Sequence, residues 1–170
     1  MNHTDKTCKG YRLNGLLEFL LESVPANQLA SLMSRLAIDI SNVRSFEQIG
    51  LGELEFQNVF SQSFWAQIFR GENYSSFFLN LHEMKIDQQI LKNPSMQIIY
   101  SENAFDVVIL LSTKNCWDAG LVLASDFFVW LKDLAHTFGA LDYCGGLEPA
   151  FDVATQLFSS SNGLGPIDHI

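Results

Sequence analysis

The run Val107-Val108-Ile109-Leu110-Leu111 constrains the fold of this chain more than any other segment, because it leaves neither face of an extended strand polar. A strand that is apolar on both faces has to be covered on both, which predicts a central place in a sheet. Just upstream, Met96–Tyr100 is a second β-rich run, and Ser101-Glu102-Asn103-Ala104 between the two reads as a hairpin loop. Alternation continues the pattern on the N-terminal side. Leu54 and Phe56 alternate with Glu53, Glu55 and Gln57, Phe64, Ala66 and Ile68 lie opposite Trp65, Gln67 and Phe69, and Gly71-Glu72-Asn73 supplies a turn. In Tyr74–Leu81, Phe77, Leu79 and Leu81 face one way, so residues 54–81 read as a meander. Toward the C-terminus, Ala140–Cys144 reads as a short strand, Gly145-Gly146 as a bend, and Val153–Phe158 as a last strand.

Helical periodicity appears in two places. Leu13, Leu16, Leu17, Leu20, Leu21 and Val24 recur at three-and-four spacing, Pro25 punctuates, and Leu29, Leu32, Met33, Leu36 and Ile40 repeat the pattern, predicting an N-terminal helical hairpin. A longer helix is expected from Ser125 as its cap, with Asp126 in the first turn, a buried stripe of Phe127, Leu131, Leu134 and Phe138, and Gly139 as the left-handed C-terminal residue. The expected class is α+β: a mostly antiparallel β-sheet with an N-terminal helical hairpin and one long helix packed on a face. Residues 1–12 are polar and expected to be flexible, and the absence of a linker, repeat or low-complexity tract predicts one globular domain over 1–170.

Composition supports an ordered domain and narrows its partners. With 170 residues, 48% of them hydrophobic and 17% charged, folding buries roughly 70% of the unfolded surface without a disulfide or metal staple. The net charge of -9 repels phosphate backbones and anionic lipid, so neither nucleic acid nor a membrane surface is an expected partner. Six of those nine excess charges fall after Asn115, where seven acids face Lys132 alone. Cys8, Cys116 and Cys144 have no paired spacing, which suits reduced thiols and a cytoplasmic location better than a secreted disulfide framework. Glu18 and Glu22 interrupt the apolar run behind Lys6, Lys9 and Arg12, arguing against a signal peptide, and no window reaches the roughly 18 to 20 apolar residues of a membrane helix.

No GxSxG, HExxH or P-loop occurs, and the histidines His3, His82, His136 and His169 are scattered. The one dense polar constellation is His136, Asp142, Cys144, Glu148 and Asp152. It admits two readings. As chemistry, His136, Asp142, Cys144 and Glu148 would hold a metal or run acid-base catalysis in a small metal-dependent or small-molecule enzyme. As structure, His136 complements a helix C-terminus while Asp142 and Cys144 share one strand face. No paired ligand spacing marks a metal, so neither a metal nor another cofactor is expected. The segment from Asp142 to Asp152 also reads as a binding platform, with Tyr143 and Phe151 as aromatic area and Asp142, Glu148 and Asp152 as surrounding charge. Trp117 is a further candidate anchor, its alternative being simple core burial.

The stretch Gly145-Gly146-Leu147-Glu148-Pro149-Ala150, followed by Asp152, Thr155, Phe158 and Gly165-Pro166, resembles the C-terminal part of bacterial polymorphic-toxin immunity proteins, including those of contact-dependent inhibition systems. The resemblance implies a non-enzymatic cytoplasmic protein that binds and blocks one cognate toxin, often a basic nuclease. These families share no common active site, so it transfers no catalytic residue. Together with the clustered acidity, the aromatic content and the missing catalytic motifs, it points to a binding inhibitor with Asp142, Glu148 and Asp152 as charged contacts and Tyr143 and Trp117 as aromatic anchors.

Overall fold

The computed structural model describes residues 15–49, 61, 63, 75–167 and 170. Its strands are β1 (Leu16–Pro25), β2 (Val43–Ile49), β3 (Ser75–Leu81), β4 (Glu83–Ile86), β5 (Gln89–Lys92), β6 (Ser95–Ser101), β7 (Ala104–Ser112), β8 (Asp142–Leu147), β9 (Gln156–Ser159) and β10 (Gly163–Leu164). Its helices are α1 (Leu29–Arg35), α2 (Thr113–Asp118) and α3 (Ala124–Phe138), with short 3-10 turns at Ala26–Gln28 and Ile40–Asn42. Eight strands form one sheet in the order β10-β9-β8-β1-β7-β6-β3-β2, with every neighbouring pair antiparallel, and β4 and β5 make a separate hairpin.

The apolar run in β7 lies between β1 and β6, in the interior of the sheet, with Val107, Ile109 and Leu111 in the core and Val108 and Leu110 beside Leu20 and Glu18 on the other face. The β6–β7 loop turns at Glu102 and Asn103, both at positive φ (48° and 71°), the conformation of a two-residue hairpin whose twist matches its strands. Phe77, Leu79 and Leu81 of β3 are buried on one face. The strands expected between Leu54 and Phe69, and the flexible segment 1–12, lie outside the described residues, apart from Ser61 and Ser63.

The N-terminal helical hairpin is not what forms. Leu16–Pro25 is a strand of the main sheet, and only Leu29–Arg35 of the second expected helix is α-helical. Leu-Leu-Glu-Phe-Leu-Leu fits both periods, and Leu and Glu favour helix in isolation. Pairing on both edges, with β7 and β8, decides the matter, because it buries Leu17, Phe19 and Leu21 on one face. Phe19 is the residue a helical stripe leaves out, and in the strand it stacks on Phe127 with ring centroids 5.1 Å apart and meets Trp130 edge-on at 5.8 Å. A bulge between Leu21 and Val24, with Ser23 at φ 53°, restores the inward direction so that Val24 is buried too.

Helix α3 covers this face of β1, β8 and β9 with Phe127, Leu131, Leu134 and Phe138, together with Trp130. It ends at Gly139 in the left-handed conformation, whose N–H donates to the Ala135 carbonyl. Its start differs from expectation: the cap position is Leu123, without a side-chain hydrogen bond, and Ser125 lies inside the first turn beside Asp126. Gly145 and Gly146 also differ, since they continue β8 rather than bending it. Glycine is needed there for close approach. A Cβ on Gly145 would stand 2.5 Å from Phe158 Cζ and 2.6 Å from Phe19 Cδ1, and one on Gly146 would stand 2.5 Å from the Thr155 carbonyl oxygen. A shift in the β8–β9 register falls between these two glycines, and the last long strand is shorter than expected, beginning at Gln156.

Candidate protein-binding surface

Strand alternation places Glu18, Leu20 and Glu22 of β1 on the sheet face turned away from α3. Their neighbours on that face follow from the register. Glu22 pairs with Asp142, Leu20 with Cys144 and Val108, and Glu18 with Gly146 and Leu110. Asp106 of β7 joins them opposite the β1 bulge, where its carboxylate accepts the Ser23 N–H at 2.9 Å and so satisfies a donor that the bulge removes from the ladder. Asp142 accepts from the Tyr143 N–H at 2.6 Å and from the Ser160 hydroxyl.

Burial, then the charges of Asp142 and Asp106, hold the Glu22 carboxyl above its ordinary value. Burial followed by Glu22, Glu18 and Asp142 pushes the Cys144 thiol up to about 11, and burial alone pushes Cys116 up to about 12. Neither thiol is a nucleophile at neutral pH, since the reactive form is the thiolate. Among the described residues the ion pairs are Arg35–Asp133, Lys92–Glu83 and Lys114–Asp118, so no base of theirs neutralises this face.

At the other end of β8 the chain enters a hydrogen-bonded loop. The Glu148 N–H donates to the Leu16 carbonyl, and the Ala150 N–H donates to Glu18 Oε2 at 2.9 Å, so the loop is fastened to the acidic face. The Asp152 carboxylate accepts the Ala154 N–H at 2.9 Å, and the Thr155 hydroxyl donates to the Pro149 carbonyl at 2.9 Å. From beneath, the buried Gln156 side chain donates to the Ala150 carbonyl at 3.2 Å.

The residues singled out from sequence are therefore distributed along one strand and its exit loop rather than gathered at a point. Asp142 opens β8, whereas Glu148 lies just past its far end, roughly 20 Å away at the rise of a strand, and Asp152 belongs to the loop that follows. Asp142 and Cys144 do share a face. Alternation sends Tyr143 the other way: it is only 8% exposed, its ring lies 6.3 Å from Phe128, and burial followed by the Asp142 charge raises its hydroxyl pKa. Trp117, on α2, is half-buried against the core and donates its indole N–H to the Ile170 carbonyl at 2.8 Å. Sequence reasoning missed Glu18, Glu22 and Asp106, which only the pairing of β1 with β7 and β8 brings beside Asp142.

The alternative cluster is dispersed by the same geometry. His136 projects from exposed positions of α3, on the opposite side of the sheet from Cys144 and Asp142, and Glu148 lies at the far end of β8. Among the described residues no group of three His, Cys, Asp or Glu side chains is placed to hold a metal ion. No helix among them is long and apolar enough to cross a membrane.

The arrangement is a carboxylate-rich sheet face joined to an ordered loop. No curated protein matches the chain. Among solved structures, a chain in the crystal structure of the toxic C-terminal tip of CdiA from Pseudomonas aeruginosa in complex with immune protein is similar in fold, with a TM-score of 0.73 at 23% identity, covering 91% of this chain and 99% of that one. A family model described as PABL017 Cdi1I immunity protein matches residues 15–163, from the start of β1 into β10. With nearly every described element inside that match, the chain belongs to the PABL017 Cdi1I immunity protein family.

Proposed function

We propose that this chain works in the cytoplasm as a single-domain, non-catalytic partner that neutralises a cognate toxin, a basic protein such as a nuclease, by laying the acidic sheet face and the loop after β8 against it. The observation that carries the reading is the group Glu22, Asp106 and Asp142, whose mutual repulsion no basic side chain among the described residues relieves. Cations on a partner would relieve it, and the same field would steer a basic partner in. The fold neighbour, a chain from a complex between a toxic CdiA tip and an immune protein, supports a toxin of that kind as the partner.

Asp142, Glu148 and Asp152 are the charged contacts in this reading. Tyr143 and Trp117 act from behind the surface, Tyr143 by fixing the strand that carries Asp142 and Trp117 by tying α2 to Ile170. The test is association kinetics with a purified cognate CdiA toxin tip. Reversing Asp142, Glu148 and Asp152 to Lys lowers the association rate at low salt at least about ten-fold and flattens its dependence on ionic strength. An unchanged rate and slope in the triple variant rejects these contacts.

A further inference from the structure

The loop at 148–155 holds two large apolar side chains in water on a backbone that is already ordered. Phe151 is 74% exposed and Val153 is 69% exposed, while Ala150 and Gln156 on either side of them are buried. The backbone is fastened at Ala150 to Glu18, at Pro149 to Thr155 and at Asp152 to Ala154. We propose that Phe151 and Val153 are the apolar anchor of this immunity protein, entering an apolar cleft on its toxin whose basic rim meets Glu148 and Asp152. This rests on the toxin-binding reading above and moves the aromatic contact from Tyr143 and Trp117 to a residue that solvent reaches.

Three features carry the assignment. An aromatic side chain has few rotatable bonds, so a Phe on a preformed loop gives much contact area for little ordering entropy, the profile of an interface anchor. Charge then selects the occupant. Two copies of this chain meeting through this loop would bring Glu148 and Asp152 of each together, on chains that each carry a net charge of -9, and an anionic lipid surface would be repelled in the same way. A protein that is apolar at the contact and basic around it is the complement. Finally, the hydrogen bond from the Ala150 N–H to Glu18 joins the loop to the carboxylate face, so one partner covers both.

The experiment compares the wild-type chain with a Phe151→Ala/Val153→Ala double variant, in which Glu148 and Asp152 are kept, for binding to a purified cognate CdiA toxin tip. The double variant is expected to bind about 30-fold more weakly or worse, through faster dissociation, with an association rate close to wild type. Affinity within about three-fold of wild type overturns the anchor while leaving toxin binding intact; absence of binding by the wild-type chain removes the toxin-binding reading and the anchor with it. Should the double variant unfold, p-benzoylphenylalanine at position 151 decides: ultraviolet cross-linking to the toxin supports the anchor, and a cross-link only to a second copy of this chain, or none, overturns it.

Discussion

Placing alanine at Gly145 or Gly146 separates a strand in close contact with its neighbours from an open bend. Neither glycine has the positive φ that would make an alanine strained by itself. In a strand an alanine is otherwise favoured over glycine by roughly 0.5–1 kcal/mol, so only the neighbours of the new Cβ oppose it. At Gly145 those neighbours are Phe158 Cζ at 2.5 Å and Phe19 Cδ1 and Cε1 at 2.6 and 2.9 Å. Ordinary carbon contacts lie near 3.5–4.0 Å, so the rings have to move by about 1 Å. Phe19 has little freedom to do so, since Phe127, Trp130 and Phe158 all pack against it with centroids between 5.1 and 6.1 Å away. With three ring atoms inside 3.0 Å the overpacking lies at the upper end of the usual range, about 3 kcal/mol, which leaves a net loss of about 2–2.5 kcal/mol after the alanine's own preference. For a chain of this size that lowers Tm by roughly 4–10 °C, at about 2–4 °C per kcal/mol. At Gly146 the obstacles are backbone atoms, the Thr155 oxygen at 2.5 Å and Gln156 Cα at 2.9 Å. The β8–β9 register must open there, and Gly146→Ala is expected to lower Tm more than Gly145→Ala. Thermal unfolding followed by circular dichroism measures both. A Tm within about 1 °C of wild type for either variant would show that β9 and the aromatic cluster do not approach β8 as described.

The remaining predictions concern the acidic face. Asp106→Ala leaves the Ser23 N–H of the bulge without its acceptor and should destabilise the fold by about 1–2 kcal/mol, with Asp106→Asn recovering most of the loss in urea titrations; equal losses for Ala and Asn would refute the hydrogen-bond account. Glu22 binds its proton more tightly in the folded chain, so its carboxylate opposes folding: stability falls as pH rises from about 4.5 through the raised native value. Glu22→Gln is therefore more stable than wild type at pH 7, with an advantage that fades toward pH 4.5; a Tm difference independent of pH would contradict this. With Cys8 replaced by serine, Cys116 and Cys144 should resist a disulfide reagent at pH 8 until guanidinium is added, because burial raises Cys116 to about 12, and burial with the neighbouring carboxylates raises Cys144 to about 11; rapid native labelling would refute it.

What was legible in the sequence was local. The β6–β7 hairpin and α3 each depend on signals within a dozen or so residues: alternation flanking a short loop, and a helical stripe closed by Gly139. β1 was not legible, because Leu16–Leu21 satisfies both periods and its state is settled by partners that lie far along the chain, Phe105–Ser112 and Asp142–Leu147. The Gly145-Gly146 pair punctuates turns in most contexts, and only the ring of Phe19 and the backbone of Thr155 make it a strand segment here. The same division applies to the surface. The excess of acid after Asn115 was visible, and so was the sharing of a face by Asp142 and Cys144. The charges that surround Asp142, Glu22 and Asp106, come from strands whose pairing sequence alone did not supply. Alternation from Asp142 would have turned Tyr143 inward, but the aromatic type by itself gave no exposure, and the exposed ring is Phe151.

Hydrogen exchange of the chain alone and in complex with a cognate toxin tip locates the surface that binding covers. Binding is expected to slow exchange in β1 and β8 around Leu16–Glu22 and Asp142–Leu147 and through the loop at 148–155, with the β4–β5 hairpin and the outer side of α3 unchanged. Protection confined to the β4–β5 hairpin and α3, with the 148–155 loop exchanging as in the free chain, would contradict it.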